Sequence, residues 1–234
     1  MRLENIREQE RKSHMEVYSS KELYTDGSWL RKPVQTILDV LPFFRDRSEL
    51  RALDLGCGVG RNCICIAQYC GANGISCTID CVDILDFAIE KLHQNAEVYG
   101  VSQSIRGLVQ PIDTFLISPN HYDWIIAVSA LEHMDSKASF SRKLEEIRNG
   151  IREGGIVCII MNSNVRECDK ITKMPTSAQF EVNLPTEELC CLLSKTFSCW
   201  QILKSTVQEQ HYDIPRESGI RMLHTDVVTF VAKK

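Results

Sequence analysis

LDLGCGVGRN, residues 53–62, is the stretch on which the reading of the fold turns. It closes a short apolar run, RALDL at 51–55, that reads as a buried strand. Gly56, Gly58 and Gly60 follow at alternate positions, and a helix is expected from Val59 to Cys70. A strand ending in such a turn lets a ligand approach bare backbone and presents helix-start N–H groups to it. Glycine trios also make ordinary tight turns, so the trio alone leaves both readings open.

The residues that follow add context. Ser76 to Val82 reads as a second strand, with Asp83 at its tip. In a doubly wound sheet a carboxylate at that tip accepts hydrogen bonds from both ribose hydroxyls of a bound nucleoside. The same residue also suits an N-cap for the helix expected from Asp86. Asp80 would point to the same face but lies inside the strand, and it ranks below Asp83. A nicotinamide dinucleotide needs G-x-G-x-x-G at this place; counted from Gly56 the third glycine position holds Arg61, and counted from Gly58 it holds Cys63. The observed spacing suits a ligand without a pyrophosphate.

Working outward, Leu85, Ala88, Ile89, Leu92 and Ala96 recur at helical spacing over 86–99, and further strands are expected at 105–110 and 124–128. Phe140, Leu144, Ile147 and Ile151 mark a helix that stops at Gly154-Gly155 before the strand IVCIIM. The stretch 163–183 is polar and without clear periodicity, and reads as a long connection near the active face. Pro185 and Thr186 start a helix through Leu189, Leu192 and Leu193. Two strand-like runs, 199–207 and 225–232, should pair as an antiparallel hairpin across a short irregular segment. The alternation predicts an α/β, doubly wound, mostly parallel seven-stranded sheet with helices on both faces and a C-terminal antiparallel hairpin. Pro33 in a helix's first turn sets Val34, Ile37, Leu38 and Leu41 on one face; residues 1–32 read as a helical cap and 33–234 as one domain.

Composition bounds the partners. The chain has 234 residues, 44% hydrophobic and 25% charged, with a formal charge of −4. That balance builds no basic field for nucleic acid. MRLENIREQERK lacks the apolar core of a signal peptide, and no stretch reaches the roughly 18 apolar residues of a membrane span, so a cytoplasmic protein off the membrane is expected. The eleven cysteines are odd in number and hold no C-x-x-C pair, so most read as reduced core residues, and no metal site is expected. Cys63 and Cys70 share an apolar helical face with Ile66 and Ala67.

Taken together, D-L-G-C-G-V-G-R-N at 54–62, V-D-I at 82–84, Y-D-W-I-I at 122–126 and L-E-H-M at 131–134 resemble the class I S-adenosylmethionine-dependent methyltransferases. The resemblance covers Arg51 to Ser163. Within that superfamily the chain looks most like the tellurite-resistance, TehB-like branch, through its G-C-G-x-G-R-N turn, its single-domain length and its hairpin ending V-T-F-V-A-K-K.

The resemblance implies a Rossmann-like methyltransferase fold with S-adenosylmethionine as cofactor. It places Asp54, Gly56, Cys57, Gly58 and Gly60 around the methionyl part, and Asp83 with Ile84 at the ribose. It also places Asp113 at the adenine amino group and Val128 and Leu131 at the floor below the sulfonium. Asp113 reads equally as a solvated turn aspartate, with the family's acidic position aligned one place earlier at Ile112. Trp29 is a candidate cap over the cofactor, though a Trp before a helix is commonly packed.

The implied activity is methyl transfer to a small-molecule acceptor, a thiol or a selenium or tellurium oxyanion. A general base is needed only if the acceptor carries a proton. His133, beyond the fourth strand, and His211, in HYDIPRESG, are the candidate catalytic residues; each also reads as a surface or cap histidine. TehB-like sequences follow the hairpin His with Arg, whereas Tyr212 follows His211 here, and Arg216 or Arg221 would have to replace that cation. Amino-directed methyltransferases carry Asn or Asp before two prolines after the fourth strand; A-V-S-A-L-E-H-M excludes that acceptor class. The alternatives are a non-catalytic S-adenosylmethionine-binding protein and, disfavoured by the glycine spacing, an NAD(P)-dependent dehydrogenase.

Overall fold

The computed structural model describes residue 15 and residues 17–234 apart from 177, 179, 217 and 218, with 215 and 216 described in backbone only. Eight strands alternate with five helices that are described in full, and residues 17–20 before them are also helical. The strands are β1 (Glu49–Leu55), β2 (Ser76–Asp83), β3 (Ile105–Val109), β4 (Tyr122–Val128), β5 (Ile151–Asp169), β6 (Pro175–Thr176), β7 (Gln201–Arg216) and β8 (Gly219–Lys233). The helices are α1 (Gln35–Val40), α2 (Cys63–Ala72), α3 (Asp86–Val98), α4 (Lys137–Gly150) and α5 (Thr186–Thr196).

The seven long strands run in the order β3-β2-β1-β4-β5-β8-β7, with the two-residue β6 added beside β5. β1 to β5 are parallel, and β8 and β7 are antiparallel to their neighbours. This is the expected doubly wound architecture. β4 is buried along nearly its whole length, as a central parallel strand covered on both faces must be.

Alternation along the strands sorts side chains into two cores. Ala52, Trp124, Ile126, Ile156 and Cys158 face α2 and α3, with Ile37 of α1 against them. Leu53, Leu55, Ile125, Ala127, Val157 and Ile159 face α4 and α5, meeting Phe140, Leu144, Ile147, Leu189 and Leu193. Val34, Ile37, Leu38 and Leu41 all join the first core, so the stripe read around Pro33 exists. All eleven cysteines are free, and five are buried; Cys63 and Cys70 share the covered face of α2 with Ile66 and Ala67.

Several boundaries move. The helix expected from Val59 begins at Cys63, because Gly60 holds a φ of 97° that continues the turn. α4 stops at Gly150, where a side chain would run into Ile117, and not at Gly154-Gly155. Ile151 then opens β5, and the glycine pair lies inside that strand.

The larger correction concerns 163–183, which is not one long connection. β5 continues through Asp169, turns, and returns as β6. Ser163, Val165 and Glu167 face inward and alternate with exposed Asn164 and Arg166, so the period is that of a strand with polar groups on its covered side. The hairpin is longer than expected as well. His211 to Arg216 belong to β7 and pair with β8 as far as Arg216 opposite Gly219. Together these extensions form a three-stranded arm that runs beyond Val128, the end of β4, on the carboxyl side of the parallel strands. Among the described residues no helix is long and apolar enough to cross a membrane.

Candidate functional site

The glycine turn is held from two sides. The amides of Gly56 and Cys57 donate to the Val82 carbonyl at 2.8 and 3.1 Å, which ties the turn to the end of β2. Gly56 has a φ of 73°, and a Cβ there would collide with Ala130, so the loop after β4 packs directly on the turn. At Gly58, with φ 52°, a Cβ would come within 2.6 Å of the Tyr18 hydroxyl.

Asp83 stands at the tip of β2, as expected. Its Oδ2 accepts from the Gly58 amide at 2.9 Å and its Oδ1 from the Leu85 amide at 2.9 Å. α3 has no side-chain cap at Leu85, so Asp83 acts as a strut for the glycine turn and the start of α3. An ionised carboxylate is an acceptor only, the role that ribose hydroxyls require of it. Ile84 beside it is half exposed. Asp80 instead accepts the Tyr122 hydroxyl at 2.9 Å.

Asp54 is 1% exposed, and its Oδ2 has no hydrogen-bond partner among the described residues. Burial pushes its carboxyl up to about 7; nearby Asp83 adds to the rise and Arg61 opposes it. A buried carboxyl in this state gains from a ligand that brings a cation or hydrogen-bond donor to it. The Cys57 thiol is pushed up to about 12, chiefly by burial, so a neutral thiol lies in the turn.

The N-terminal segment lies over this turn. Tyr24 donates to the Arg61 carbonyl at 2.8 Å, Arg61 donates to the Trp29 carbonyl at 2.8 Å, and Tyr99 donates to the Leu23 carbonyl at 2.9 Å. Trp29 itself is half exposed in a short helical turn. Residues 1–14 and 16 of the expected cap lie outside the described residues.

On the other side, Val128 ends β4 half-buried and Ser129 takes a φ of 50°. A 3-10 turn, Leu131–His133, follows. Leu131 does not face the crevice: it is 1% exposed and packs in the α4–α5 core. Asp113 accepts from the Asp135 amide at 3.1 Å, which joins the loop after β3 to the loop after β4.

His133 meets residues that the sequence reading missed. Its Nδ1 lies 3.0 Å from Glu181 Oε2, the Glu181 side chain is 1% exposed, and the imidazole stacks on Phe180 with centroids 5.6 Å apart. The Val182 amide donates to the Glu132 carbonyl at 2.9 Å, so this segment is sewn to the turn that carries His133. Glu132 is fully buried, and its Oε1 accepts from the backbone and side-chain nitrogens of Asn162.

Phe180 also lines a cavity of about 390 Å³ against the arm, with Arg166, Glu167, Cys168 and His224. His211 is not in a loop but on β7, directly opposite His224 on β8, with the two Nδ1 atoms 2.6 Å apart. Of that pair, His224 is the one that lines the cavity. Arg221 is engaged by Asp169 at 3.0 Å, and the Arg216 side chain lies outside the described residues. The turn, the two aspartates and His133 thus gather at the carboxyl edge, where open α/β sheets bind ligands.

Comparison with known proteins agrees with this fold. The fold resembles TehB from Haemophilus influenzae, with a TM-score of 0.62 and 19% identity over 86% of this chain and 62% of that one. The chain therefore spans about three fifths of the length of TehB. YcgJ from Bacillus subtilis aligns with a TM-score of 0.60 and 11% identity, covering 86% of this chain and 98% of that one. An S-adenosylmethionine-dependent methyltransferase structure from Listeria monocytogenes, described as putative, gives a TM-score of 0.58 and 15% identity over 86% and 95%. These identities carry the fold alone. No curated protein matches the sequence. A family model described as "Methyltransferase domain" matches residues 46–214, well over half of the chain, and the chain therefore belongs to the methyltransferase-domain family.

Proposed function

We propose that the protein binds S-adenosylmethionine at the glycine turn and transfers its methyl group to a small-molecule acceptor held against the arm. The observation that carries this reading is Asp54: a buried carboxyl with a partnerless oxygen beside three positive-φ glycines, next to Asp83 at the neighbouring strand tip. The residues fit the cofactor. Asp54 suits the cationic methionyl end, the bare backbone of Gly56 and Gly58 suits its close approach, and Asp83, an acceptor at the strand tip, suits ribose hydroxyls. Residues 17–32 serve as a cap over the turn, and 33–234 form the catalytic domain.

When bound, the cofactor supplies a methyl group already activated by a positive sulfur. Asp54 and Asp83 anchor the two ends of the nucleoside-bearing ligand. Tyr18 and the loop after β4 close the turn from either side and reduce the access of water. The arm cavity would hold the acceptor, whose alignment with the methyl group is the main catalytic requirement of a displacement. Incubating the protein with S-adenosylmethionine and small thiols, hydroxyl compounds and oxyanions, and measuring S-adenosylhomocysteine release, tests the reading. Release that depends on the acceptor supports it; saturable donor binding without release from any acceptor would favour a non-catalytic binding protein.

A further inference from the structure

We infer that Glu181 and His133 form a carboxylate–histidine dyad that removes a proton from the acceptor, so the acceptor is a neutral O–H or S–H acid and not a preformed oxyanion. This rests on the proposed methyl transfer and specifies its substrate class. Glu181 Oε2 sits 3.0 Å from His133 Nδ1, and an ionised carboxylate only accepts hydrogen bonds, so Nδ1 carries the proton and Nε2 is the basic nitrogen.

Three contacts hold that orientation. The Glu181 side chain is 1% exposed while the His133 side chain keeps 30% exposure, so the carboxylate stands behind the ring and the ring reaches the open side. Phe180 stacks on the imidazole, and the Val182 amide bonds the Glu132 carbonyl. A residue that merely covered the surface would not need a buried carboxylate to fix one tautomer.

Placement adds the second half of the argument. His133 lies in the turn after β4, three residues beyond Ala130, whose side chain packs on Gly56. The ring also stacks on Phe180, which lines the arm cavity. A base linked to the glycine turn through Ala130 and to that cavity through Phe180 is useful only if the nucleophile arrives protonated. In the step itself, the acceptor oxygen or sulfur forms a bond to the methyl carbon. The carbon–sulfur bond breaks with its electron pair passing to sulfur. The acceptor proton moves to His133 Nε2 and then to water. Glu181 is a positioning residue, since it acts on the acceptor through His133.

The test uses the full chain saturated with S-adenosylhomocysteine and labelled with 15N-histidine, with His133→Gln assigning the resonance. The expected neutral form is Nδ1–H, and Glu181→Gln should raise the Nε2–H fraction while Glu181→Asp restores the original. Phenol and 2-mercaptoethanol serve as protic probes, and selenite and tellurite as oxyanions. S-adenosylhomocysteine release with a protic probe should fall at least about tenfold in Glu181→Gln, with donor affinity by calorimetry unchanged. An Nε2–H tautomer in the unaltered protein, release from the oxyanions alone, or protic turnover indifferent to Glu181→Gln overturns the inference. So does saturable donor binding with no release from either protic probe. If the donor does not bind at all, the methyl-transfer reading fails instead, and the tautomer still reports on the dyad.

Discussion

The Asp83 carboxylate holds the Gly58 amide at 2.9 Å, so the acidic tip of β2 and the glycine turn after β1 are one mechanical unit. Its other oxygen takes the Leu85 amide. Asp83→Asn keeps one carbonyl oxygen and faces the second amide with an NH2 group, which leaves that amide unsatisfied at a cost of about 1–3 kcal/mol. Asp83→Ala removes both acceptors and should weaken S-adenosylmethionine at least about tenfold, or about 1.4 kcal/mol. Asp80→Ala loses only the Tyr122 hydroxyl bond, near 1 kcal/mol, and should leave donor affinity unchanged. Thermal melts and calorimetry on the three variants decide this; a silent Asp83→Asn in both measurements contradicts the strut.

Asp54 gives the protein a pH dependence of definite sign. Its carboxyl is pushed up to about 7 by burial, above the ordinary value of 3.8, so the folded state holds a proton that the unfolded state has released between those values. This contribution to stability is therefore fully present below about pH 4 and is lost as pH rises to about 7, by at most about 4 kcal/mol. Asp54→Asn should abolish that part of the pH slope in denaturant melts run from pH 4 to 8. Donor affinity should move the other way, rising as pH passes through about 7, because a cationic ligand favours the ionised carboxylate. A flat affinity profile in the unaltered protein counts against Asp54 as the cationic end's partner.

Two glycines in one turn should fail differently. A side chain at Gly56 meets the backbone-anchored Ala130, whereas one at Gly58 meets the far end of Tyr18, which can swing away. Gly56→Ala is expected to cost more stability than Gly58→Ala, by about 1–3 kcal/mol as for overpacking of a filled site. Gly58→Val should abolish donor binding while the protein still melts cooperatively. Equal melting losses for Gly56→Ala and Gly58→Ala would show that the clash at Ala130 is relieved by a loop shift.

Much of the fold was legible because its signals are local. The apolar runs of β1, β4 and the middle of β5, the glycine turn, and the stripe of α3 each follow from spacing, and the mostly parallel sheet follows from their alternation. The arm was not legible, because Ser163 and Glu167 occupy the inward positions of a strand and so erase the usual apolar alternation. That Asp83 ends β2 was legible from the apolar run before it, yet its bond to Gly58 is a tertiary contact that no spacing encodes. Leu131 shows the opposite limit, since an apolar type after β4 suits the crevice and the core equally, and packing put it in the core. Glu181, Phe180 and His224 lie far from His133 in sequence and meet it, or the cavity beside it, only through the arm.

The central claim is that the glycine turn with Asp54 and Asp83 is a site for a methyl donor. Titrating the full chain with S-adenosylmethionine and, separately, with NAD in a calorimeter tests it most directly. The account predicts saturable one-site binding of S-adenosylmethionine that is lost in Gly58→Val, and no binding of NAD. Saturable binding of NAD with none of the methyl donor would contradict it.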